Sequence, residues 1–251
     1  MRAERQAADR RTALAAGVLF LITFIASIPA LALFQPVLDD PAGYIAGGGQ
    51  DARIYAGVVL EMIVILANIG TAVVLFPILR RTSETLSLAY VTARLVEGGF
   101  IAAGILAVLG IVSLGHDDPG ASSLAVSLAQ TKDWTFLLGP GVMAGVGNGL
   151  LLGYLLYRSG LVPRRMAILG MAGGAILVIA GMGVLFGGIE AGGFVQSLAT
   201  APEFVWELFL GVSLTVWGFS AAGRRTRRAR PPAATGGRGR RPAGDATAAT
   251  R

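Results

Sequence analysis

The sequence predicts an all-α fold, a polytopic membrane protein built as a six-transmembrane-helix bundle, and three observations lead there. Of its 251 residues 54% are hydrophobic and only 14% charged, where soluble domains carry about a quarter charged residues. Six apolar runs each approach or exceed the roughly 20 residues that a helix needs to cross a bilayer. The connections between them are short and rich in turn residues, so no separate soluble domain fits.

The six runs fall at about 13 to 34, 54 to 79, 86 to 115, 134 to 157, 166 to 188 and 203 to 222. "QPVLDDPAGYIAGGGQDAR", "GHDDPGASS" and "RSGLVPRR" are the polar connections after the first, third and fourth. The chain thus divides into a basic N-terminus (1–12), a membrane domain (13–222) and a tail (223–251). The first run also has the marks of a signal peptide: basic residues, an apolar stretch, and "ALA" at 30 to 32 as a cleavage site. Its length argues for a retained helix, and cleavage would leave the orientation of the other five unchanged.

Orientation follows from the retention of Lys and Arg on the cytoplasmic side. Successive connections alternate between basic-rich and basic-poor, so that eighteen of the 21 basic residues fall on one side and two on the other, with Arg94 inside a span. Both termini are therefore expected in the cytoplasm. Tyr55, Trp134 and Trp206 then fall near outer helix ends and Tyr154, Tyr157 and Trp217 near inner ends, the places aromatic belts occupy.

Much is excluded by composition. With no cysteine and one histidine, His116, outside the apolar runs, thiolate metal sites, thiol catalysis, a bis-histidine haem and an intramembrane Ser/His/Asp triad have no residues to use. Nucleotide-binding glycine motifs are missing too, so neither a cofactor nor a metal is expected. The formal charge of +6 belongs to the tail, which holds nine arginines among Gly, Pro and Ala without apolar periodicity. Such a segment cannot bury a core and is expected to be disordered. Its arginines favour anionic lipid headgroups, at about 1 kcal/mol each near the surface, over nucleic acid.

The informative residues are the polar ones within the oil. At about 1.5 Å per residue, Glu61 lies roughly 10 to 12 Å below the outer end of the second helix, and Arg94 and Glu97 roughly 12 and 16 Å above the inner end of the third. Each charge at such depth costs about 2.5 to 3.5 kcal/mol if unpartnered. Arg94 is therefore expected to be held by Glu97, three residues on and on the same face, and by Glu61 from the neighbouring helix. Asn68 shares the Glu61 face, and Asn148 falls at a similar depth on the fourth helix, where the two amides can bond across the bundle. Glu203 and Glu207, at the outer start of the last run, are expected to face water or the positive helix end. Gly141, Gly145, Gly149 and Gly153 form a four-residue stripe that serves packing within the bundle, a homodimer seam, or bending.

"RRTALAAGVLFLITFIASIP", "LFPILRR", "AYVTARLVEGG", "DWTFLLGPG", "GYLLYRSGLVPRRMAILG" and "EFVWELFLG" together resemble an uncharacterised bacterial membrane family, domain of unknown function 4386. The resemblance spans nearly everything before the tail, and its most specific elements fall on Arg94, Glu97, Arg158, Pro163, Arg164 and Glu207. It implies a six-helix inner-membrane protein, multi-pass in the bacterial plasma membrane, gives Glu207 more weight than its spacing does, and carries no activity. Among activities, an excess carboxylate beside Arg94 favours small-solute or proton-linked transport. The rival is a non-catalytic membrane module that stabilises or regulates a partner protein. An intramembrane enzyme comes last for want of a nucleophile and base. Against transport, the charged cluster of the second and third helices has no evident counterpart in the fifth and sixth.

Overall fold

The computed structural model describes residues 2–47, 51–114 and 120–219, with side chains from residue 7. His116 and the arginine-rich tail lie outside them. Among the described residues the chain is helical, without a strand: α1 (Arg2–Asp39), α2 (Pro41–Ala46), α3 (Asp51–Leu79), α4 (Glu84–Val112), α5 (Ala121–Phe136), two π-helical segments (Leu137–Met143 and Gly145–Leu152), α6 (Gly153–Ser159), α7 (Arg164–Leu185) and α8 (Phe194–Val216). Among the described residues five helical stretches are long and apolar enough to cross a membrane: Ala7–Asp39, Asp51–Leu79, Glu84–Val112, Ala121–Ser159 and Arg164–Leu185. The fourth is the continuous rod made by α5, the π segments and α6.

These rods close into a ring. α1 packs on α3 and α8, α3 on α4, α4 on α5 and the π segments, and α7 between those segments and α8. Two apolar clusters fill the ring's ends. One gathers Phe20, Leu75, Tyr90, Leu155, Trp206 and Leu210 at the end that holds the N-terminus. The other gathers Phe34, Ile54, Ile101, Val108 and Ala125 at the opposite end.

Local sequence chemistry sets the ends of the rods. Pro36 has no N–H to give to Ala32, four residues back, and Arg53 takes that freed carbonyl at 2.8 Å and Leu33 at 3.2 Å, tying α3 to α1. Tyr44 donates to Asp51 at 2.6 Å, latching α2 to α3. Partial burial, reinforced by the Asp51 carboxylate, pushes this phenol above its ordinary range. Ser83 caps α4 by accepting from the Leu86 amide. Gly160, at φ 65°, ends α6 in the left-handed conformation that glycine adopts without strain. Arg10 donates to the last carbonyls of α8, at Leu214, Thr215 and Val216, where a cation suits the negative helix end.

Two boundaries depart from expectation. The fourth rod begins at Ala121, not near 134, because Ala121, Ala125 and Ala129 form a small-residue stripe buried along the bundle. Its hydropathy is low, yet its packing is close. The last helix spans Phe194–Val216, about nine residues earlier than the apolar run suggests at its start.

Candidate functional site

A cavity of about 300 Å³ occupies the middle of the ring, lined from α1, α3, α4, α5, the first π segment, α7 and α8. Five carboxyl groups and two cations border it: Glu61, Glu97, Asp133, Glu203 and Glu207 with Arg94 and Lys132. Around them the lining is apolar, with four phenylalanines.

The charges are organised as two ion pairs. Arg94 Nη1 donates to Glu97 Oε2 at 2.5 Å, with the residues only 2% and 3% exposed. Glu97 Oε1 accepts from Asn68 Nδ2 at 3.0 Å, and Asn68 Oδ1 accepts from the Thr23 hydroxyl at 3.4 Å. This chain links α4, α3 and α1.

Glu61 does not reach Arg94. Its two oxygens accept from Lys132 Nζ at 2.5 and 2.7 Å. The residue that sequence reasoning missed is thus Lys132, buried at 4% exposure on a turn of α5 assigned there to an external connection. Its ammonium also stands 5.0 Å from the centre of the Phe34 ring. Gly104 on α4 admits the Lys132 stem, because a Cβ there would come within 2.9 Å of Lys132 Cδ. Seven residues of α3 separate Glu61 from Asn68, the partner of Glu97, so the pairs are offset by about 10 Å along the helix axis. The expected single cluster of three is two separate pairs facing one cavity.

The asparagines do not bond to each other. Asn68 serves Glu97, whereas Asn148 Oδ1 accepts from the Tyr90 hydroxyl at 3.2 Å and its Nδ2 donates to Glu207 Oε1 at 2.5 Å. Trp206 Nε1 adds a 3.0 Å bond to the Asn148 carbonyl. Asn148 is therefore the clamp between α4, the second π segment and α8.

Glu203 and Glu207 are not at a water-facing helix start. Because α8 begins at Phe194, they lie in its third and fourth turns and turn inward. Glu203 is 3% exposed, and among the described residues both its carboxyl oxygens lack a hydrogen-bond partner. Arg94 Nε is also unpartnered. Burial of an ionised carboxylate without a partner is costly, so Glu203 calls for a proton or a cation.

Glycines bring these helices close enough to hold Glu203 there. A Cβ on Gly173 would stand 2.8 Å from the Glu203 amide nitrogen, and one on Gly145 would stand 2.9 Å from the Gly174 carbonyl oxygen. Gly149 abuts the Gly174 backbone, and Gly153 faces Met171 and Ala167. Gly141 touches only its own rod. Three of the four stripe glycines therefore pack within the bundle. The π-helical winding around them, rare beyond a single turn and frequent at functional sites, lies beside the cavity.

Fold and cavity define a class, the multi-pass α-helical membrane protein, with ionisable groups enclosed between its helices. The chain belongs to the family described as a domain of unknown function (DUF4386), which it matches over residues 15–218. No curated protein and no solved structure matches it.

Proposed function

We propose that this protein is a small-solute transporter of the bacterial cytoplasmic membrane, coupled to protons, with α8 as its sixth span and both termini in the cytoplasm. The observation that carries this reading is a cavity between the helices bordered by more carboxyls than cations, where one carboxyl, Glu203, has no hydrogen-bond partner among the described residues. A merely structural cluster is expected to be fully satisfied, because a half-satisfied polar network is less stable than an apolar core. Glu203 and Glu207, turned inward where the sequence suggested a water-facing helix start, also supply from the second half of the chain the ionisable counterpart that was not evident there. The apolar cluster around Leu155 and Trp206 closes the cavity toward the N-terminal end, as one state of an alternating-access cycle requires.

Transport demands that this closure open. With no native cysteine, a single Leu155→Cys substitution reports it, since Leu155 is fully buried. In native membranes the cysteine is expected to react with a maleimide applied from the N-terminal face, as a fraction of molecules visits the opposite state. No reaction over hours, with Arg80→Cys reacting in minutes as the accessible control, would refute transport and favour a static module.

A further inference from the structure

The geometry points to the ligand class and to its route: the cavity takes a primary ammonium carried on a compact apolar body, which enters sideways from the bilayer through a window between α1, α5 and α8. This deepens the transport reading and rests on it for its purpose, though binding can be tested separately.

Four residues that line the cavity are also open to the outside of the bundle: Ile28 (56% exposed) and Leu31 on α1, Phe136 on α5 and Phe204 (43%) on α8. A residue that is both cavity wall and outer surface marks a rim. α1 and α8 meet at Gly17 and Thr215, at Leu21 and Gly211, and again where Phe24 stands edge-on to Phe204, with ring centres 4.9 Å apart. Beyond that contact, toward the opposite end, the α8 residues Phe194, Val195 and Leu198 are exposed, and the helices frame the opening. Ile28 lies well inside the α1 span and Phe204 ten residues into α8, so the window opens at the depth of lipid chains. Only a ligand with an apolar body is soluble where the window stands.

Charge chooses the head of that ligand. Five carboxyls against two cations exclude an anion, and each cation is already occupied by Glu97 or Glu61. Glu203 and Glu207, four residues apart on one face of α8, retain unused acceptor capacity: both oxygens of Glu203 lack partners among the described residues, with Oε2 packed against Gly149 and Gly173, from where a turn of the side chain would bring them to the ligand, and Glu207 accepts from Asn148 through one oxygen. An ammonium has three donors and no acceptor, which matches them. Its apolar body would lie among Phe24, Phe136 and Phe204, whose ring faces attract cations. A bare metal ion fits less well, since no three His, Cys, Asp or Glu side chains converge as ligands among the described residues.

The test uses the full-length protein in nanodiscs with three probes of one shape: 4-phenylbutylammonium, 4-phenylbutyrate and 4-phenylbutanol. The ammonium is expected to raise the thermal unfolding midpoint in a saturable way, with at least tenfold higher affinity than the alcohol and no saturable response to the carboxylate. Glu203→Gln is expected to lower ammonium affinity at least tenfold. Phe204→Trp, which leaves every carboxyl in place and narrows the window, is expected to slow association about tenfold. Equal responses to the three wild-type probes, or unchanged binding to a folded Glu203→Gln protein, would overturn the inference even if Leu155→Cys reports opening. Selective ammonium binding with a Leu155→Cys that never reacts leaves this inference standing and removes transport.

Discussion

At the residue scale, the two ion pairs make a sharp energetic distinction. Removing one partner from a buried pair leaves an uncompensated charge at a cost of about 3–5 kcal/mol, while replacing both with apolar residues is often neutral. Lys132→Met and Arg94→Leu are each expected to destabilise by that amount. Lys132→Met with Glu61→Leu, and Arg94→Leu with Glu97→Leu, are expected to recover most of it. Across the pairs, Arg94→Leu with Glu61→Leu should add almost without coupling, because the pairs are offset by about 10 Å along the helix axis and share no hydrogen bond. Thermal unfolding in detergent measures all three cycles. Strong coupling between Arg94 and Glu61 would restore the three-membered cluster. Part of this was legible in the sequence: the i, i+3 pairing of Arg94 and Glu97 follows from helix geometry alone. Lys132 was hidden because hydropathy treats a lysine next to Asp133 and Trp134 as a boundary. The alanines four apart at 121, 125 and 129 were the available sign that helix packing begins earlier.

At the element scale, the seam between the second π segment and α7 depends on glycine at some positions and not at others. A Cβ on Gly174 would fall 2.7 Å from the Gly149 Cα and closer still to the Gly145 carbonyl oxygen. Backbone cannot yield there as a flexible side chain can. Gly174→Ala is therefore expected to cost about 1–3 kcal/mol through overpacking. Gly141→Ala meets nothing nearer than 3.6 Å and is expected to be neutral, or to gain up to about 1 kcal/mol from helix propensity. Unfolding midpoints of the two variants decide it, and an equal loss from both would place the seam elsewhere. The four-residue spacing announced this stripe in the sequence, and Gly170 and Gly174 repeat the spacing more briefly on the helix it packs against. Gly170, Gly173 and Gly174 serve two neighbours at once: Gly170 admits the Trp206 indole and Gly173 the backbone at Glu203. Where α8 begins was hidden. Gln196, Ser197 and Thr200 read as connection, yet Ser197 and Thr200 return their hydroxyls to carbonyls four residues back, which lets helix continue through them. Nine residues of error at that boundary moved two carboxyls from the water to the cavity.

At the scale of the whole molecule, one end of the bundle is basic and the other is not. Arg10, Arg80, Arg81, Arg158, Arg164 and Arg165 lie at the helix ends joined by the Arg10 bonds to the α8 carbonyls and by Arg81 with Asp9 at 3.5 Å. The opposite end holds the α2 turn and the α7–α8 connection, with Asp39, Asp40, Asp51 and Glu190. Lys and Arg are the residues retained during insertion, so the basic end is expected in the cytoplasm. The cavity window then belongs to the outer half of the bundle. Single cysteines at exposed positions in this cysteine-free chain test the assignment: Arg80→Cys on the basic end, Ser122→Cys and Glu190→Cys on the other. An impermeant maleimide applied to intact cells is expected to label positions 122 and 190 and to spare position 80 until the membrane is opened. Labelling at 122 but not at 190 would mean that α7 does not cross with the other helices, whereas labelling of Trp217→Cys, just beyond α8, in intact cells would leave five spans and the C-terminus outside. Labelling of 80 alone would invert the molecule and turn the ammonium window toward the inner leaflet.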